Sequence, residues 1–169
     1  SISVDTLGID IPQIDYYTDS MTAIAGAKVG VWIQYPETAY FNTTGGLPTI
    51  DLIIGNTVVK ATYSRNYISW PDYYFLYTVL DGQNDTNGIS YVANSLSLNG
   101  ATIKDGSGNN AGLLHTGGSN GGVVVDTTHP TMEITSNKTT LKIGETATIT
   151  FTFSEDPGTS FAWNGTTGD

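Results

Sequence analysis

The chain has 169 residues and a formal net charge of −10, with 16 aspartates and glutamates against 6 lysines and arginines. This charge disfavours nucleic acid and anionic membranes as partners, because both require a positive surface, and it favours divalent cations. Cysteine is absent, which excludes disulfides and thiolate metal sites, and two histidines are too few to favour a structural zinc site.

Alternating apolar and polar residues predict strands along the whole chain and no helix. The predicted strands are IDIPQIDYY (9–17), KVGVWIQY (28–35), TIDLIIG (49–55), TVVKATY (57–63), YYFLYTVL (73–80), NSLSLNG (94–100) and VVV (123–125). Turn-forming residues separate these strands at the spacing typical of a β-sandwich. The sequence also contains no apolar stretch long enough to insert in a membrane. We therefore expect an all-β fold.

The sequence contains an internal repeat. GAKVGVWIQYPE (26–37) aligns with GETATITFTFSE (144–155) at an offset of 144 − 26 = 118, and VDT occurs at 4–6 and again at 125–127. The inward-facing residues of one strand are preserved, and so is the glutamate that ends it. We interpret residues 1–126 as one complete unit and residues 127–169 as the first strands of a second, incomplete unit.

The second unit needs further contacts, because two strands alone are marginally stable in water. Residues 127–169 are expected to pack on the first unit, to pair with another chain, or to be completed by further sequence. In the last case the repeat either continues directly or is interrupted by an inserted binding domain, and with such an insertion the first unit would be the platform beneath it.

Two segments resemble a known family. VDTTHPTMEITSNKTTLKIGETATITFTFSE (125–155) and DGQNDTNGISYVANSLSLNGATIKDGSGNNA (81–111) resemble the Ig-like repeats of giant bacterial adhesins secreted by the type I (RTX) route. Residues 9–75 match less well. The resemblance implies an Ig-like Greek-key β-sandwich outside the cell, on the bacterial surface, joined to neighbouring Ig-like domains and stiffened by calcium.

The order of the predicted strands places acidic and amide side chains at the two ends of a sandwich. The first cluster contains Asp5, Glu37, Asp105 and Asn109. The second cluster contains Asp81, Asn84, Asp85, Asn87, Asp126 and, from the second unit, Glu155. Calcium takes six to eight oxygen ligands from such groups, and a bound cation relieves the repulsion between them. We therefore expect Ca²⁺ at both ends, with the second site completed across the linker.

Ordinary turns are the alternative for the loops at 81–88 and 104–111, because glycine, asparagine and aspartate favour turns irrespective of metal. An EF-hand does not fit the loop at 81–88: with Gly88 at the sixth position, Gln83 takes the first position and Asn94 the twelfth.

Catalysis has little support in the sequence. The chain lacks the GxSxG and HExxH motifs, His115 lies in a glycine-rich stretch that predicts an exposed loop, and His129 lies in the linker. A carboxylate pair for glycoside hydrolysis depends on distances that a sequence does not give, so that alternative stays open. We predict a non-enzymatic module that acts as a rigid spacer or platform in adhesion or biofilm formation.

Aromatic residues support a second hypothesis, a module that binds carbohydrate or another surface ligand. Trp70, Tyr73 and Tyr74 cluster in SWPDYYF and are candidates for stacking on a surface glycan. Packing in the core or at a domain interface is favoured over this role, because alternation directs half of a strand's aromatic residues inward. Ice binding is a weaker third hypothesis, since TATITFTF gives only one strand of alternating threonines.

Overall fold

A computed structural model describes residues 5–11, 13–69 and 72–157, apart from the side chains of residues 65–69. Within these ranges every regular element is a β-strand, which confirms the all-β prediction. The chain divides into two compact units, Ser1–Thr127 and Thr128–Asp169.

The described part of the first unit contains strands β1 to β12. They are β1 (Gln13–Thr18), β2 (Thr22–Ala23), β3 (Lys28–Gln34), β4 (Tyr40–Asn42), β5 (Thr49–Ile54), β6 (Thr57–Ser69), β7 (Asp72–Thr78), β8 (Asn84–Asp85), β9 (Ser90–Tyr91), β10 (Thr102–Lys104), β11 (Gly118–Ser119) and β12 (Val124–Asp126). A seven-stranded antiparallel sheet has the order β1-β3-β7-β6-β5-β9-β11. The other strands form the antiparallel pair β4–β10 and the small sheet β2-β12-β8, in which β2 and β12 are parallel.

The core lies on the inner side of the large sheet and forms two apolar clusters along the strands. β3 contributes to both, with Val29 in the smaller cluster and Val31 and Ile33 in the larger one. Phe41 of β4 stacks between Tyr63 and Tyr73 of the large sheet, with ring centroids 4.6 and 4.5 Å away. This stack joins the two layers of the sandwich.

The second unit opens in the same way as the first. Its strands β13 (Met132–Ser136) and β14 (Ile149–Phe153) are antiparallel, as β1 and β3 are. Gly26 and Gly144 have φ angles of 88° and 86°, and each is the third residue of a turn closed by one backbone hydrogen bond, from Ala27 N to Ile24 O and from Glu145 N to Lys142 O, both 3.0 Å. A positive φ at the third position of such a turn favours glycine. The repeat in the sequence thus corresponds to a repeated turn in the structure.

Two predicted strands differ from those observed. The prediction of a strand over 94–100 was wrong, because Asn94 and Asn99 have φ angles of 54° and 50°, which produce turns instead of extended chain. Within residues 94–100 only Ser97 forms a β-bridge: it exchanges two backbone hydrogen bonds of 2.8 Å with Thr49. The strand predicted from residue 9 begins at Gln13, whereas the strand predicted to end at residue 63 continues to Ser69.

A glycine in a central strand permits close packing of the sheet backbone, and its replacement tests this packing. At Gly30 of β3 an added Cβ would lie well inside van der Waals contact of the Phe75 carbonyl oxygen on β7. Gly30→Ala is expected to destabilise the first unit by about 2 kcal/mol or more, because the backbone must move. Thermal unfolding monitored by circular dichroism measures the loss.

Gly106→Ala is the matched control, because an added Cβ at Gly106 has no atom within 4 Å. It is expected to leave the melting temperature unchanged or slightly raised. Equal losses in the two variants would contradict the packing described for Gly30.

Candidate metal site

Three acidic side chains from distant parts of the chain meet at one end of the first unit. Asp5 lies in the N-terminal segment, Glu37 lies in the turn between β3 and β4, and Asp105 follows β10 directly. One carboxylate oxygen of each lies within 4.8 Å of the others. The structure thus brings together three members of the first predicted cluster, and we name Asp5, Glu37, Asp105 and Asn109 the acidic cluster.

Asp105 is the buried member, with 3% of its surface exposed. Its Oδ1 accepts hydrogen bonds from the backbone N–H groups of Ser107 and Asn109 at 2.9 and 2.8 Å. Its Oδ2 accepts one from the Asn109 side-chain amide at 2.9 Å. These bonds, that of the Asn109 amide above all, hold the pKa of Asp105 below its ordinary value despite the opposing effect of desolvation. The carboxylate therefore stays charged and shapes the loop around it.

Oxygen atoms converge on the side-chain nitrogen of Asn109. Besides the Asp105 carboxylate, Nδ2 donates to the backbone carbonyls of Asp5 and Leu7 at 3.4 and 3.3 Å. Ser107 Oγ also donates to Asp5 Oδ2 at 3.5 Å. Sequence reasoning missed Leu7 and Ser107, although serine two residues after an aspartate is a common turn arrangement. Backbone and carboxylate oxygens gathered at one point are a donor set that suits Ca²⁺.

The charges of the acidic cluster are not balanced by lysine or arginine among the described residues. Lys60 pairs with Asp51 at 2.7 Å and Lys138 pairs with Glu145 at 3.8 Å, so neither of these lysines pairs with a member of the acidic cluster. Lys104, next to Asp105 in the sequence, directs its ammonium to the Gly108 carbonyl at 3.0 Å. Like charges this close repel one another unless a cation lies between them.

The second predicted cluster has a different structure. β8 pairs with β12, so that Asn84 lies opposite Asp126 as the sequence suggested. Asp85 is 3% exposed, and its carboxylate accepts backbone N–H groups of Gly55 at 2.7 Å and Asn87 at 3.2 Å. Asn84 Oδ1 accepts the N–H of Thr127 at 2.8 Å. These oxygens thus hold the loop together through hydrogen bonds to backbone N–H groups.

The remaining members of the second cluster are exposed. Asp81 and Asn87 lie at the surface of the first unit, and Glu155 lies at the surface of the second unit, just after β14. Among the described residues, three acidic or histidine side chains come within ligand distance at the acidic cluster alone. Calcium binding at the second cluster stays a prediction.

His115 has a structural role. It is half-buried beside a groove of about 610 Å³ that Ile11, Tyr91 and Leu114 also line. Its Nε2 accepts the backbone N–H groups of Ser95 and Leu96 at 3.1 and 3.3 Å, and Nδ1 lies 2.8 Å from the Thr116 carbonyl. Since Nδ1 faces an acceptor, it carries the proton. Both ring nitrogens are therefore engaged by the backbone; His115 lies in a loop, as expected, but its ring is half-buried instead of exposed.

Of the aromatic residues predicted to bind a ligand, Tyr73 lies in the core. Tyr73 is 6% exposed, and its hydroxyl donates to Ala39 O at 2.7 Å and accepts from Ala39 N at 3.0 Å. The prediction that Tyr73 binds ligand was therefore wrong, because alternation along β7 directs it into the core. Tyr74 points to the opposite face and is partly exposed. Trp70 lies outside the described residues.

The lowered pKa of Asp105 predicts how stability depends on pH. The unfolded chain, with an aspartate pKa of about 3.9, binds a proton at a higher pH than the folded chain does. The stabilisation by Asp105 is therefore complete above about pH 5 and is lost as the pH falls through the lower, folded pKa. Asp105→Asn is expected to lower the melting temperature at neutral pH and to flatten its decline between about pH 5 and about pH 2. Parallel profiles for the variant and the wild type would contradict this role.

When the chain is compared with known protein families, the match lies almost entirely in the second unit. Residues 126–163 match the family model described as a bacterial Ig-like domain. No curated protein and no solved structure gives a significant match. In the described residues no helix is long and apolar enough to cross a membrane. The all-β architecture and this match together identify an Ig-like β-sandwich fold, and residues 126–163 carry the sequence of a bacterial Ig-like domain.

Proposed function

We propose that this chain is a non-enzymatic, calcium-stabilised Ig-like module of a large bacterial cell-surface adhesin, acting as a rigid spacer or platform in adhesion or biofilm formation. The observation that carries the proposal is the approach of the Asp5, Glu37 and Asp105 carboxylates to within 4.8 Å. The bacterial Ig-like match of residues 126–163 supports a non-enzymatic surface role, since domains of this kind are typically non-catalytic and often lie at the cell surface.

The donor set of the acidic cluster fits a hard cation. Carboxylates from three places in the chain are joined by the backbone carbonyls of Asp5 and Leu7, which lie 3.4 and 3.3 Å from Asn109 Nδ2. All are oxygen ligands, and the cluster contains neither sulfur nor imidazole. Such a set favours Ca²⁺, which accepts six to eight oxygens in flexible geometry, over zinc.

The position of the acidic cluster explains why a cation would stiffen the module. Asp5 belongs to the segment through which the chain enters the first unit, whereas Glu37 and Asp105 belong to its folded end. A cation held by all three would fix the direction of the entering chain relative to the sandwich. Neighbouring Ig-like domains of the same polypeptide are therefore the expected partners, and calcium supplies the stiffness between them.

Calcium is expected to raise the melting temperature of the first unit. A ligand that binds only the folded state at a hundredfold excess over its Kd adds about 2.7 kcal/mol, which corresponds to roughly 5–15 °C for a unit of this size. Calorimetry in EDTA, in calcium and in magnesium measures the effect, and magnesium is expected to give less than half of it because it demands octahedral geometry.

Glu37→Gln is the informative variant, because Glu37 is exposed and its charge contributes to the repulsion in the acidic cluster. It is expected to leave the melting temperature in EDTA unchanged or raised, and to remove most of the rise caused by calcium. Asp15→Asn removes one charge from an exposed position of β1, outside both predicted clusters, and is expected to keep the calcium response. A melting temperature that calcium does not change in the wild type would refute the proposal.

A further inference from the structure

The outer face of the large sheet carries aromatic residues that the core does not use. On β3 the inward residues Val29, Val31 and Ile33 are fully buried, so that Trp32 between them points outward and remains partly exposed. The register places Trp32 between Asp15 of β1 and Tyr74 of β7, in one row across three strands. Strands in a sheet are about 4.8 Å apart, so Trp32 and Tyr74 occupy adjacent positions on this face.

A third ring extends this row into a patch. Tyr17 of β1 contacts Tyr74 edge to face, with ring centroids 5.5 Å apart and an interplanar angle of 88°. In the row of Tyr17 the central position is Gly30, which has no side chain, so the two tyrosine rings meet across the strand that separates them. We name Tyr17, Trp32 and Tyr74 the outer aromatic patch.

Polar groups border the outer aromatic patch on one side. The next row of the same face contains Gln13, Gln34 and Asp72, and Gln34 Nε2 donates to Asp72 Oδ1 at 3.2 Å. Asp15 lies at the end of the aromatic row and is exposed. Aromatic rings flanked by carboxylates and amides match the two chemistries of a sugar: apolar C–H groups on the ring face and hydroxyl groups at the ring edge.

The charges of this face favour neutral sugars over acidic ones. Asp15 and Asp72 make the border of the patch negative, in a chain whose net charge is −10. Among the described lysines of this face, Lys60 pairs with Asp51, and Lys28, which donates to Thr78 Oγ1 at 3.3 Å, lies at the far end of β3 from Gln34. Sialic acids, uronic acids and sulfated sugars would be repelled. A neutral sugar has hydroxyl groups that can donate to both carboxylates.

We propose that the outer aromatic patch binds a neutral pyranose of a surface glycan. Trp32 and Tyr74 stack on the sugar ring, Tyr17 holds Tyr74 in place, and Asp15 and Asp72 accept hydrogen bonds from sugar hydroxyls. This site differs from the one predicted from SWPDYYF, because Tyr73 is buried and Trp32 lies on another strand. It uses none of the residues of the acidic cluster.

The test uses the full chain, a panel of neutral oligosaccharides (cellobiose, lactose and maltotriose), sialyllactose as the acidic comparison, and choline as the cationic one. Amide shifts in nuclear magnetic resonance spectra follow each titration. We expect saturable binding of at least one neutral sugar, with shifts concentrated at residues 15–17, 30–34 and 72–76, and no binding of sialyllactose. Because the mapping uses the wild-type protein, it does not depend on any variant folding.

Matched variants test the individual rings. Trp32→Leu and Tyr74→Leu are expected to weaken binding at least about tenfold, since each removes a stacked ring. Trp32→Phe retains a ring and is expected to lose less. Tyr40→Leu, at a tyrosine 59% exposed on β4, removes a ring from the other layer and is expected to leave binding unchanged. The proposal fails if the folded wild type binds no neutral sugar, if choline or sialyllactose binds better, or if the shifts map elsewhere.

Discussion

Two buried carboxylates, Asp85 and Asp105, hold the loops at opposite ends of the first unit. Each is 3% exposed and accepts backbone N–H groups that strands do not satisfy. Asp85 ties its loop to Gly55 beside the smaller apolar cluster, whereas Asp105 closes the loop after β10 beside the larger one. Leaving such N–H groups unpaired would be costly, so the sandwich depends on both residues to end its strands.

The two ends differ in what surrounds the buried carboxylate. Around Asp85 the neighbouring polar side chains bind backbone groups of the same unit, as Asn84 does with Thr127. Around Asp105 two more carboxylates, those of Asp5 and Glu37, approach instead. The Asp85 carboxylate therefore binds backbone N–H groups of its own unit, whereas at the other end three carboxylates lie within 4.8 Å of one another. This contrast is the physical basis for proposing a cation at the acidic cluster, where it would join the entering chain to the folded end.

Much of the fold and part of the site could be predicted from the sequence. Alternation located the strands around Val31 and Phe75, and the order of strands placed Glu37 near Asp105. The sequence did not predict that Asn94 would take a positive φ, nor that Asp85 would be buried. Both depend on tertiary contacts, since the same residue types also form exposed turns. Tyr73 and Tyr74 show the limit most clearly: adjacent in the sequence, they lie on opposite faces, and only the register of β7 decides which is exposed.

The most direct test of the central claim is a calcium titration of the full chain followed residue by residue in nuclear magnetic resonance spectra. The account predicts saturable amide shifts at residues 5–7, 35–38 and 105–110, with little change at residues 81–88. Shifts concentrated at 81–88, or no saturable shifts at millimolar calcium, would contradict a cation site at the acidic cluster.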